Sequence, residues 1–287
     1  MRRTAMSALV LMLLLVFVSA AQAQQEYLDF FIVKVKPEKR ADFEAVTKKM
    51  VDANRHNKGD NWIAFETVYG EGNTIFFVNP RQSYAEIEEG SARFMSALNK
   101  AAGEAGVGKM MQDFNNCVVS SRGEVRRRRW DLSSNVPSDA AGRLRIVGEA
   151  QWLRTTAVRV RPGRLAEYEA QLKENKAAFD NAKVTTLISQ SAAGQQGTVF
   201  YFTTLGASLS AFDKVPPTRE VLGEEGYKKY TKLLSEVILS SETTINHLMP
   251  ELSNAPEPVM SAAPDFWRPK PKPAAAKPKV AAAAKPQ

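Results

Sequence analysis

The chain has 287 residues, 44% of them hydrophobic and 24% charged, with a formal net charge of +8 at pH 7. Arg2 and Arg3 supply two of those charges and residues 265–287 supply five, which leaves +1 for the body. A nearly neutral body, long enough for two cores of roughly 100 residues each, is not the footprint of a nucleic-acid-binding protein.

Residues 1–23 carry two arginines, an apolar run from Ala8 to Ala21 and the small-x-small pattern Ala21-Gln22-Ala23. This reads as a secretory signal peptide, so the mature protein is expected in the periplasm or outside the cell. The apolar run is short for a spanning helix and no other follows, so no transmembrane helix is expected once the signal is removed. Cys117 is the only cysteine, which excludes an internal disulfide and suits a small buried apolar residue.

Past the signal, Tyr27 to Lys36 alternates as a strand, with Phe31, Val33 and Val35 on one face and Ile32, Lys34 and Lys36 on the other. Pro37 suits the start of a helix that carries Phe43, Val46 and Met50. Trp62 to Tyr69 and Thr74 to Asn79 form a hairpin around Gly70-Glu71-Gly72-Asn73. A helix from Ala92 to Asn116, interrupted by Gly103, Gly106 and Gly108, leads to a final strand within Gly123 to Leu132. The same order then recurs as Trp152 to Arg161, a helix from Pro162, Val184 to Ser191 and Thr198 to Thr203.

The recurrence is visible in the residues themselves. VKVKPEKRADFE (Val33 to Glu44) and VRVRPGRLAEYE (Val158 to Glu169) share five identities in twelve positions, and five more keep their chemistry. Gly103-Glu104-x-Gly106 aligns with Gly223-Glu224-x-Gly226. The expected organisation is a signal at 1–23, one repeat at 24–133, a linker at 134–150, a second repeat at 151–255 and a Pro/Lys/Ala-rich tail at 256–287 without fixed structure.

Two strand-helix-strand-strand-helix-strand units, each entering its first helix through Pro-Glu-Lys or Pro-Gly-Arg and carrying Phe43-Glu44 or Tyr168-Glu169, resemble the dimeric α/β-barrel superfamily. That superfamily includes antibiotic-biosynthesis monooxygenase-like and haem-degrading proteins. The resemblance implies an α+β fold in which two tandem ferredoxin-like modules close as an intramolecular barrel with the helices outside. It also raises an enzymatic alternative, a cofactor-independent or haem-using monooxygenase. No catalytic residue carries over, because the positions of His56, Asn61-Trp62 and His247 match no motif of the family.

The candidate site rests on Lys34 and Arg159, which hold the same position between helix-facing valines and so point to the barrel interior or its mouth. A buried cation needs a partner. Glu66 is the expected partner of Lys34, whereas Arg159 is expected to meet Gln190 and so to be left for a small anionic ligand. Trp62 and His247 complete the candidate ligand-binding set. Arg126 to Arg129 reads as a solvated edge strand, with an anion site beside Trp130 as the alternative. No metal-ligand spacing, phosphate loop or nucleophile motif is present, so no resident cofactor is expected and haem is the open alternative. The basic tail is either a spacer or a contact to an anionic envelope surface, and Asp265-Phe266-Trp267 before it is aromatic enough to dock on the body.

Overall fold

The computed structural model describes residues 26–268; the expected signal and the basic stretch from 269 onward lie outside them. Eight strands, β1 (Tyr27–Val35), β2 (Ile63–Tyr69), β3 (Thr74–Arg81), β4 (Val118–Arg128), β5 (Trp152–Val160), β6 (Leu187–Ala193), β7 (Val199–Gly206) and β8 (Ile238–Leu248), form one closed barrel. Their order is β1-β3-β2-β8-β5-β7-β6-β4. Each half contributes one run of four, β4-β1-β3-β2 and β8-β5-β7-β6, and the runs join at β2·β8 and β4·β6. The fold is α+β with a closed eight-strand barrel, and closure leaves no sheet edge.

Seven helices surround or cap this barrel: α1 (Arg40–His56), α2 (Tyr84–Asn116), α3 (Ala140–Gly148), α4 (Leu165–Asn181), α5 (Thr218–Val237), α6 (Glu257–Ala262) and α7 (Pro264–Trp267). Pro37 opens a short 3-10 turn that runs into α1, while in the second half Gly163 adopts φ 80° and the helix starts only at Leu165. That difference accounts for Glu38 being replaced by glycine, since only glycine enters this region without cost. The aligned Gly103 and Gly223 break α2 and α5 with nearly the same geometry, φ 66° and 68°, ψ 170° in both.

Every neighbouring pair of strands is antiparallel, so directly opposed residues share a face. Leu28, Phe30, Ile32 and Lys34 point inward, as do Val78 and Phe76 opposite them; Phe31, Val33 and Val35 point out to the helices. Four antiparallel steps separate β1 from β5 round the barrel, so both run the same way. Their starts lie at one end and Lys34 and Arg159 rim the other. The first end is closed by apolar packing of Leu28, Phe65, Leu153 and Leu248 against Val259 of α6 and Trp267 of α7. Trp267 Nε1 donates to the Gly148 carbonyl at 2.7 Å. A Cβ at Gly148 would come within 2.5 Å of the Val259 carbonyl, so this docking requires glycine.

Three expectations are corrected. Residues 134–150 are not a plain linker, because Asp139 accepts from the Gly142 amide and starts α3, which packs on α6. Residues 257–267, assigned by sequence to the unstructured tail, form the α6–α7 cap, as the aromatic pair Phe266-Trp267 suggested. The Arg126 to Arg129 stretch is not an edge: β4 pairs with β1 on one side and β6 on the other, and Arg126 and Arg129 are buried. Cys117 is a buried free thiol whose pKa is raised first by desolvation.

Candidate functional site

The residues singled out in the sequence do not converge on one site. Lys34 faces inward at the rim, where Nζ donates to Glu71 Oε1 at 2.8 Å and to the Gly72 carbonyl at 2.7 Å. Glu66 is not its partner. It sits opposite Ile75, which is opposite the outward-facing Val33, so strand parity places Glu66 outside, where Arg40 Nη2 donates to it at 2.7 Å. Parity likewise separates Arg159 from Gln190, which faces outward opposite Phe200 and accepts from Arg127 and Arg129. Trp62 is buried with Nε1 donating to the Leu252 carbonyl at 2.8 Å and an edge contact to Phe94, an anchoring role. His247 lies on the outer face with its ring 4.5 Å from that of Trp152 and 6.1 Å from Phe266.

An open space lies between the second half of the sheet and its helices, outside the barrel wall. It is a cavity of about 530 Å³ walled by Val158 and Phe202 from the sheet, Leu172 and Phe179 of α4, and Leu234 of α5. The corresponding layer of the first half carries an aromatic cluster, with Phe31 at its margin still 41% exposed. There Phe31 stacks within 6.3 Å of both Phe77 and Phe114, and Phe43 packs 5.1 Å from Phe114. In the second half Thr156 takes the place of Phe31, opposite Phe202 as Phe31 is opposite Phe77. Helix α2 has 33 residues, but α5 has 20 and begins after Val215-Pro216-Pro217, which line the cavity. Two successive prolines cannot donate to a helix, so the chain that covers the first half is withdrawn from the second.

The lining is mixed: besides the apolar side chains it includes Arg154, Tyr168, Asn175, Lys176 and Tyr230, together with threonines and serines such as Thr156, Thr204 and Ser241. Lys176 is neutralised by Asp180 at 2.8 Å. No carboxylate pairs with Arg154 among the described residues; its guanidinium lies 5.2 Å from the Phe212 ring centroid. Burial, with a smaller influence from Tyr230, pushes the Tyr168 phenol well above its ordinary pKa, and burial also raises Tyr230. Both phenols therefore stay protonated, and their hydroxyls remain donors in the cavity lining. No histidine lines the space: His56 ends α1 against the Asp52 carbonyl, and His247 is stacked as described. Histidine-ligated haem thus has no axial ligand here, and phenolate ligation is opposed by the same burial that raises the tyrosines.

A second polar group occupies the inner face near the open end of the barrel. Glu124 accepts from Arg126 Nε at 2.7 Å, Tyr201 Oη at 2.5 Å and Gln195 Nε2 at 2.8 Å. Burial alone would raise this carboxyl, but the Arg126 charge and the three hydrogen bonds outweigh it, and its pKa falls below the ordinary range. The Arg126 guanidinium lies between the Phe30 and Tyr201 rings, 4.0 and 3.4 Å from their centroids. Arg128 is half-buried, its Nε makes no hydrogen bond but lies 3.8 Å from Glu26 Oε1, and desolvation lowers its pKa. Sequence reasoning missed both groups in their true form. The signals available were the exchange of Phe31 for Thr156 between copies and the inward parity of Glu124 and Arg126.

No family model matches the sequence, and no curated protein sequence matches it. Solved structures similar in shape include a candidate monooxygenase from Lactobacillus acidophilus (10% identity, TM-score 0.49, covering 78% of this chain and 94% of that one). They also include an anthrone oxidase-like protein (10%, 0.46, 80% and 93%) and a chlorite dismutase from Candidatus Nitrospira defluvii (10%, 0.46, 83% and 94%). At this overlap the likenesses carry no argument about chemistry, which rests on the side chains above.

Proposed function

We propose that this protein binds an amphipathic anionic small molecule in the cavity of its second half. The observation that carries the reading is Arg154, which has no carboxylate partner among the described residues and lines a cavity of about 530 Å³ that also presents Leu172, Phe179, Phe202 and Leu234. A pocket of this size and lining suits one small ligand whose apolar body is buried and whose charge is fixed at one point. Leu172, Phe179, Phe202 and Leu234 would enclose the body, Arg154 would meet the anion, and the Tyr168 and Tyr230 hydroxyls would donate hydrogen bonds.

The test is titration with an aromatic sulfonate whose fluorescence rises in apolar surroundings. Saturable binding is expected in the wild type, about 10-fold weaker in Arg154→Gln, which corresponds to about 1.4 kcal/mol, and absent in Thr156→Phe, which restores the first half's aromatic. Binding that survives both substitutions overturns the assignment. Haem added to the wild type is expected to give no Soret shift.

We further infer that the two halves are copies of one ferredoxin-like module closed on each other as an intramolecular dimer. The repeated sequence and the matching strand runs support this reading. Export under the direction of residues 1–23 follows from their composition, as does attraction of the basic tail to an anionic envelope surface. Deleting Lys270 to Gln287 and fractionating cells tests the tail, since unchanged partition removes that role.

A further inference from the structure

The open end of the barrel presents cations that the described residues do not fully satisfy. Arg159 is the clearest. It faces inward opposite Val199 and Ser240; its Nη1 is buried without a hydrogen-bond partner, and its Nη2 reaches only Gln195 Oε1 at 3.4 Å. A buried guanidinium nitrogen left without an acceptor forfeits a hydrogen bond that the unfolded chain would make to water. Rim cations are not all in this state, since Lys34 is held by Glu71 and a carbonyl.

The acceptor nearest Arg159 is already committed. Gln195 turns its amide nitrogen to Glu124 Oε2, and Glu124 is saturated by Arg126, Tyr201 and Gln195 together. Gln195 is thereby oriented with its carbonyl toward Arg159, so the carboxylate acts on the arginine only through it. Arg122 faces inward opposite Ile32 and is close enough to lower the Tyr201 pKa alongside Arg126. The inner face of the barrel thus carries Arg122, Arg126 and Arg159, with the buried Glu124 joined directly to Arg126 and through Gln195 to Arg159. Glu242, inward opposite Ala157, is solvent-exposed.

We propose that the open end of the barrel is a second site, separate from the helix-side cavity, which binds a small oxyanion at Arg159 with Arg122 beside it. An oxyanion oxygen would accept from Nη1, supplying the missing acceptor. Gln195, fixed by Glu124, is a positioning residue that holds the guanidinium fork toward the opening. The chemistry is that of a phosphate or short carboxylate, for which a guanidinium offers parallel donors.

Titration of the full protein with inorganic phosphate at low ionic strength tests this, followed calorimetrically and by the arginine side-chain resonances in NMR. Saturable binding is expected, with the Arg159 guanidinium resonances shifting. Affinity should fall at least about 10-fold in Arg159→Gln, and by a smaller factor in Gln195→Leu, which changes no charge. Arg154→Gln should leave phosphate binding as it is, so failure of the cavity reading and failure of this one are told apart. The proposal is overturned by absence of saturable binding, by binding that both Arg159→Gln and Gln195→Leu leave unchanged, or by loss in Arg154→Gln equal to that in Arg159→Gln.

Discussion

In the first half of the barrel the sheet turns Phe31 and Phe77 outward, and their rings form one cluster with Phe43 and Phe114. In the second half the corresponding positions hold Thr156, Phe202, Tyr168 and Leu234, and a cavity lies there. The backbones are alike down to the left-handed glycine in each long helix. The cavity therefore lies where two of the four aromatics, Phe31 and Phe114, correspond to Thr156 and Leu234, and where two prolines precede a shorter helix. The proposed binding site rests on that difference between the halves.

The largest expected contrast is in stability. Phe43→Ala should cost about 3–5 kcal/mol in urea unfolding, because its site is fully enclosed, whereas Leu172→Ala at the cavity wall should cost about 2 kcal/mol, where packing is already incomplete. Equal costs would mean the second layer is as tight as the first. Asp60→Ala should cost about 3 kcal/mol, since it strips Arg81 of a bidentate partner at 2.8 and 2.5 Å and leaves a buried charge. The second half has Gly206 at the position of Arg81 and no such pair to break.

Acid titration gives a smaller contrast. Glu124 stands opposite Phe30 in β1, and Thr244 stands at the matching place opposite Thr155 in β5. Because the Glu124 pKa is lowered on folding, its stabilising contribution is complete above the unfolded-state pKa and is lost as pH falls through the folded one. The urea midpoint should decline over that acidic window, and Glu124→Gln should flatten the decline. An unaltered slope would show that Arg126 gains nothing from the ionised carboxylate. The smallest change in stability is expected for Thr156→Phe, within about 1 kcal/mol, since added contacts offset the strain of a new ring; ligand binding, by contrast, should vanish.

Much of the architecture was legible because period-two strands, Pro-initiated helices and Gly-rich hairpins are local signals. The stretches Trp62 to Tyr69 and Thr74 to Asn79 come within two residues of β2 and β3 as observed, and the Gly103 break falls inside its helix. The partners of the charges were not legible, because they depend on register. Lys34 and Glu66 look complementary until the hairpin register fixes their parity, which puts them on opposite sides of the wall. Arg126 to Arg129 read as a solvated edge because four arginines in a row are normally exposed. Barrel closure gives β4 a neighbour on each side, and Glu124, Asp131 and Glu169 then compensate Arg126 and Arg129. The cavity was illegible for a further reason: it is a volume left between elements, and only the Thr156 exchange and Pro216-Pro217 hint at it.

The seating of Trp267 on Gly148 gives the molecule a polarity. The described chain leaves the barrel at its sealed base, next to Arg268, which is held by Glu257. Arg159 stands at the other end of the same strands. A solute reaching that rim would approach from the end opposite the Trp267 seal, so a substitution that loosens the seal and one that empties the rim act on different ends of the barrel.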